Sequence, residues 1–114
     1  DLSPLVPRIV KFREERDWGQ FHQPKELATG LAIEAAELQE EFLWKASESA
    51  PEVAADKDRL DRIKAEIADI SIYILMLAND LEIDLQDAIT DKLGKNALRY
   101  PVDKVRGRAD KAPQ

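Results

Sequence analysis

The sequence predicts an all-α protein, a four-helix bundle, and three observations carry that expectation. Apolar residues recur at helical spacing in four segments, no segment alternates with a period of two, and breakers and capping residues fall between the segments. At 114 residues the chain has the length of one domain, since domains typically run to roughly 100–150 residues. Ser3-Pro4 opens the first helix, which carries Leu5, Ile9 and Phe12 and runs out near Asp17-Trp18-Gly19. A loop from Gln20 to Gln23 holds the sole histidine, His22. Pro24 starts the second helix, with Leu27, Leu31, Leu38 and Phe42 on one face, expected to continue to about Lys45. Ala46 to Ala55 reads as a connection with at most a little helix of its own. A long third helix spans Asp56 to Leu81, and Asp84 N-caps a fourth that reaches Tyr100 before Pro101 stops it. Residues 1–101 form the predicted domain, and residues 102–114, with Lys104, Arg106 and Arg108, a basic tail expected to be partly disordered.

The third helix is unusual. Leu60, Ile63, Ile67, Ile70, Ile74, Leu77 and Leu81 make an ordinary core stripe, but Ile72, Leu75 and Met76 leave the stretch after Asp69 apolar on nearly every side. A helix apolar all round is buried all round. Four helices cannot easily surround one of their own number, so a second subunit is expected to cover it; the alternative is that the first helix and the tail wrap it within one chain.

Composition narrows the function. With no cysteine, a disulfide scaffold, a zinc ribbon, an iron–sulfur cluster and a thiol nucleophile are excluded. A net charge of −6 argues against a nucleic-acid polymer as partner, because backbone binding needs clustered Lys and Arg. The longest apolar stretch, Ile70 to Ala78, is too short to span a bilayer, and no charged-then-apolar leader is recognisable, so a cytoplasmic protein without a membrane partner is expected.

Glu34-Ala35-Ala36-Glu37 on the second helix and Glu66-Ile67-Ala68-Asp69 on the third are the candidates for chemistry. Spacing of i and i+3 puts both carboxylates of each pair on one side of a helix. Such pairs are common in an acidic chain and are mostly solvated faces. Position on the helical wheel separates these two. Glu34, Glu37 and Glu41 run between the Leu27/Leu31/Leu38/Phe42 face and a second apolar edge made by Ile33 and Trp44, while Glu66 flanks the Ile63/Ile67/Ile70 stripe. Like charges in a partly desolvated site persist when a cation or raised pKa values offset their repulsion. Carboxylates without Cys or His form a hard oxygen site suited to Mg2+, with Mn2+ as a substitute. Di-iron carboxylate bundles need Glu-x-x-His pairs, and His22 sits in a loop instead. Patterning therefore leaves metal-dependent phosphate chemistry and a plain helical interaction module both open.

The same residues resemble a known family. Glu34-x-x-Glu37 followed by Glu66-x-x-Asp69 resembles the metal-binding signature of the MazG-like all-α nucleoside triphosphate pyrophosphohydrolases. The segment from Arg16-Asp17-Trp18-Gly19 through Phe21-His22-Gln23-Pro24, then Phe42-Leu43-Trp44-Lys45, then Lys92 through Asn96 to Arg99-Tyr100-Pro101, is similar to the dCTP pyrophosphatase branch. The likeness runs from about Ile9 to Pro101. Many MazG-like proteins begin the first motif with two adjacent glutamates, whereas Ile33 stands first here, as an apolar residue does in that branch.

The resemblance implies hydrolysis of a nucleoside triphosphate, dCTP or a modified form, between the α and β phosphates with Mg2+. It implies Glu34, Glu37, Glu66 and Asp69 as metal ligands and a homotetramer built as a pair of dimers. Either Glu37 or Glu41 is expected to orient or deprotonate the attacking water, and Lys92 and Arg99 to contact phosphate. By the same resemblance Trp18, Phe21, His22 and Trp44 stack on the base or touch the sugar. Asn96 faces the pyrimidine edge with its donor and acceptor, and Tyr100 is its neighbour. The expected role is cleansing of nucleotide pools. Two rivals stay open at this point: a related hydrolase preferring dUTP or a broad range, and a non-catalytic helical scaffold.

Overall fold

The computed structural model describes residues 1–108 and contains, among them, helices and no strand. The elements are α1 (Leu5–Glu15), a single 3₁₀ turn (Gly19–Phe21), α2 (Pro24–Glu40), α3 (Ala50–Ala55), α4 (Lys57–Asp80), α5 (Leu85–Arg99) and α6 (Val102–Val105). The four long helices expected from periodicity are present among the described residues, with a short helix, α3, between α2 and α4 and another, α6, after α5. The chain divides into two compact units, Asp1–Glu82 and Ile83–Gln114.

Local chemistry explains the boundaries. Asp17 adopts a left-handed backbone with φ 52°, and the Trp18 amide donates to the Arg13 carbonyl at 3.0 Å, which closes α1. Pro24 occupies the first turn of α2, where its missing N–H costs nothing. Ser49, Asp56 and Asp84 cap α3, α4 and α5 by accepting from the amides of Glu52, Arg59 and Asp87 at 3.4, 3.2 and 3.0 Å.

One boundary differs from the sequence expectation. Helix α2 stops at Glu40 rather than near Lys45. Arg59 of α4 supplies the reason: its Nε donates to the Glu41 carbonyl at 3.0 Å, and its two terminal nitrogens hold the Glu48 carboxylate at 2.9 and 3.0 Å. The guanidinium thus satisfies a carbonyl that the next helical turn would otherwise have claimed. Trp44, three residues on, has φ 62° and lies off the helix.

In the first unit the antiparallel pair α2 and α4 makes the main packing, with α1 and α3 laid on α4. Leu27 of α2 is fully buried, and Ile63, Leu75, Met76 and Ala78 of α4 are buried as well. The apolar stretch of α4 is not closed on every side. Ile72 remains 39% exposed, and a groove of about 490 Å³ runs between α1 residues Leu5, Ile9 and Phe12 and α4 residues Ala68, Ile72 and Leu75. Ile67 and Leu81 of the expected core stripe stay exposed too, as does Phe42. In the second unit α5 exposes Ile89, Leu93 and Leu98. The expected basic tail begins with the single turn α6, and its last six positions, 109–114, lie outside the described residues.

Candidate metal centre

Antiparallel packing of α2 on α4 brings the two acidic motifs face to face. Glu34, Glu37 and Glu66 each present a carboxylate oxygen, and these oxygens lie within 4.8 Å of one another. Glu34 and Glu66 are half-buried and Glu37 exposed. One oxygen of Glu34 and one of Glu66, Oε2 in each, is shut off from solvent with no hydrogen-bond partner. Buried polar atoms are nearly always paired, so two orphan oxygens in one cluster mark a place for a positively charged partner. Oxygen donors of this kind suit a hard divalent cation, and the cluster fits one.

The electrostatics agree. The Glu34 carboxyl is held above the ordinary carboxylate range, first by the close approach of the Glu66 carboxyl, then by burial and by the charges of Glu66 and Asp69. Glu37 is raised as well, chiefly through the close approach of the Glu34 carboxyl and that group's charge. Three carboxylates so close cannot all ionise freely, so protons are shared unless a cation replaces them.

The other expected residues fall into separate places. Asp69 lies one helical turn beyond Glu66; its charge reaches Glu34, but its oxygens fall outside the three-carboxylate cluster. Glu41 caps α2 and its carboxylate accepts from Arg62 Nε at 3.1 and 3.2 Å, so it faces a cation of the chain itself. The apolar edge assigned to Ile33 and Trp44 on α2 does not form, because Trp44 has left the helix. What gathers the acids is Glu66 on the facing helix.

Trp18 and His22 stand together, ring centroids 6.2 Å apart, with Phe12 edge-on to Trp18 at 5.7 Å and the Arg16 guanidinium 3.7 Å from the Phe12 centroid. His22 Nδ1 is another buried atom without a partner. Gln23 is the N-cap residue of α2. Phe21 is 62% exposed and Trp44 99% exposed. In the second unit Lys92 and Asn96 lie four residues apart on α5, Tyr100 caps that helix by donating to the Asn96 carbonyl at 2.8 Å, and Arg99 sits 5.4 Å from the Tyr100 ring centroid.

Sequence reasoning passed over Tyr73. Its ring lies against Gly30, where a Cβ would come within 2.7 Å of Cζ and 3.0 Å of the phenol oxygen. Gly30 is one turn before Glu34 and Tyr73 one turn after Asp69, so this contact borders the acidic cluster. An unexplained glycine inside a strongly periodic helix was the available signal.

Comparison with known proteins gives concordant results. The sequence model of the MazG-like family matches residues 30–113. Mouse (Mus musculus) dCTP pyrophosphatase 1 is 41% identical over 103 residues, covering 90% of this chain and 60% of the mouse protein. Human (Homo sapiens) dCTP pyrophosphatase 1 is 37% identical over the same length. The chain therefore spans 60% of the length of the curated relatives it matches. The crystal structure of a pyrophosphatase from Archaeoglobus fulgidus DSM 4304 is similar with a TM-score of 0.78 at 37% identity, covering 88% of this chain and 92% of that one.

Proposed function

The chain belongs to the MazG-like family, and from that premise we propose that it is a nucleoside triphosphate pyrophosphohydrolase acting on dCTP, including modified forms, with Mg2+. The observation that carries the reading is the convergence of Glu34, Glu37 and Glu66, two of them with a buried oxygen that has no partner. Glu34, Glu37 and Glu66 would hold the ion, with Asp69 as the further ligand. When bound, such an ion makes the α-phosphorus more electrophilic and offsets the charge of the departing pyrophosphate.

The chain's own groups account for the rest. Glu37 is the exposed member of the cluster, as suits a carboxylate that meets the attacking water. It takes the proton of a water that attacks the α-phosphorus; the α–β bridging bond breaks, releasing the monophosphate and pyrophosphate. Glu41 is the poorer base because Arg62 already occupies its carboxylate. Trp18, Phe21, His22 and Trp44 are proposed to stack on the base and bound the sugar. Lys92 and Arg99 are proposed to contact phosphate, and Asn96 beside Tyr100 to read the pyrimidine edge, since an amide offers both donor and acceptor.

The working form is proposed to be a homotetramer, a pair of dimers. The open groove along α1 and α4, and the exposed Ile67, Ile72 and Leu81, support self-association. No helix among the described residues is long and apolar enough to cross a membrane, and a cytoplasmic role in cleansing nucleotide pools is proposed. A panel of ribo- and deoxyribonucleoside triphosphates assayed for pyrophosphate release, with and without Mg2+, tests the reading. It expects release only with the metal and dCTP among the best substrates. Comparable rates across bases would defeat the dCTP assignment, and no release with any nucleotide would defeat the enzyme.

A further inference from the structure

The segment from Glu41 to Glu48 carries an arrangement that neither the family signature nor the acidic cluster explains. Trp44 at its centre is 99% exposed and has a left-handed backbone, φ 62°. Bulky residues avoid that conformation, and a free loop would relax out of it. Something must hold the segment, and the contacts converge on one side chain. Arg59 is itself 4% exposed. Its Nε donates to the Glu41 carbonyl before Trp44, its Nη1 and Nη2 take both oxygens of Glu48 after Trp44, and its guanidinium carbon stands 4.9 Å from the centroid of the Phe42 ring. The Glu48 carboxyl is held below its ordinary range by this pairing. Only the planar, five-donor fork of arginine can make a backbone bond, a bidentate carboxylate pair and a ring contact together; a lysine ammonium cannot. Arg62 adds a second, exposed clasp on the Glu41 carboxylate.

We propose that Arg59 is a positioning residue for nucleotide binding: by clasping Glu41, Phe42 and Glu48 it holds the intervening loop in the strained form that presents Trp44 to the nucleotide. The proposal rests on the reading of Trp44 as a base- or sugar-contacting residue. Preorganisation of an exposed aromatic lowers the entropy lost when the ligand is bound, so its loss appears in KM and leaves the chemical step alone.

The test uses Arg59→Met, Glu48→Gln as a milder change should the first fail to fold, Trp44→Ala, and Arg59→Met combined with Trp44→Ala. For Arg59→Met, KM for the nucleotide is expected to rise about tenfold with kcat within about twofold of the parent. In the combined variant Arg59→Met should add nothing to the effect of Trp44→Ala, because it acts through that ring. Fluorine NMR of protein carrying 5-fluorotryptophan supplies a readout independent of turnover. The Trp44 resonance should narrow to the width of an unstructured residue in Arg59→Met, while the Trp18 resonance keeps its position and width. An unchanged Trp44 line width would overturn the clasp. An unchanged KM, or effects of the two substitutions that multiply, would overturn its role in binding. A parent protein that hydrolyses no nucleoside triphosphate would overturn the functional reading instead, and the fluorine spectra would still decide whether Arg59 holds the loop.

Discussion

Replacing Glu34 by Gln removes one charge from the acidic cluster while keeping its shape and an amide able to donate to Glu66. The ligand oxygens of the cluster lie within 4.8 Å of one another. Two full charges at that separation repel by about 0.9 kcal/mol even at the dielectric constant of water, and by more where solvent is partly excluded. The native Glu34 carboxyl is raised, first through the close approach of the Glu66 carboxyl, so the folded metal-free protein binds a proton more tightly there than the unfolded chain does. Its contribution to stability is therefore most favourable at low pH and declines as pH rises from the ordinary carboxylate range through the raised native value. Glu34→Gln should abolish this decline. At about pH 8 the metal-free variant is expected to be roughly 1 kcal/mol more stable than the parent, a shift of about half to one molar in the urea midpoint. Magnesium should reverse the order. An ion at about a hundred times its dissociation constant adds roughly 2.7 kcal/mol to a protein that binds it only when folded. The parent should gain this, and Glu34→Gln should gain little and lose pyrophosphate release. Urea unfolding followed by circular dichroism, with EDTA and then with Mg2+, measures both. A variant that keeps the full magnesium stabilisation, or one less stable than the parent without metal at alkaline pH, would refute the account of this cluster.

Two further outcomes follow from other contacts. Arg13 on α1 holds Asp80 at the end of α4 through a bidentate pair at 2.7 and 2.8 Å, which lowers the Asp80 carboxyl below its ordinary value. A depressed acid contributes stability above its unfolded pKa and loses it as pH falls through the native one, so Asp80→Asn should cost about 1 kcal/mol near neutrality and almost nothing in strong acid. Equal losses in urea melts at both pH values would show that the pair contributes no charge-dependent stability. Gly94 lies inside α5 with nothing within 4 Å of an added Cβ, whereas a Cβ at Gly30 meets Tyr73 at 2.7 Å. Gly94→Ala should gain about 0.5–1 kcal/mol, and Gly30→Ala should lose up to about 2 kcal/mol net once overpacking is set against helix propensity. If both gain, measured by the same melts, the Tyr73 ring does not depend on its seat against α2.

Much of this protein is legible in the chain because its rules are local. Periodicity gives the four long helices, and the cap at Asp84 depends on a side chain and an amide three residues away. The two acidic motifs are legible for the same reason, as i and i+3 pairs, although their meeting is not. Sequence spacing could not say that Glu66 would close on Glu34 and Glu37 and leave two oxygens without partners, nor that Asp69 would stand outside. Those facts depend on the register in which α4 lies along α2.

The same limit explains the error at the end of α2. Nothing between Glu40 and Lys45 breaks a helix locally; where α2 ends, the Glu41 carbonyl is taken by Arg59, eighteen positions away. Trp44, expected as a helical edge residue, lies beyond that end as an exposed ring. The sequence by itself determined the helical class, the main helices and which acids could do chemistry, because short-range hydrogen bonding and side-chain periodicity decide those. Tertiary structure alone decided which carboxylates converge, where α2 ends and how Trp44 is presented, because these depend on packing between residues far apart in the chain, to which helical periodicity is blind.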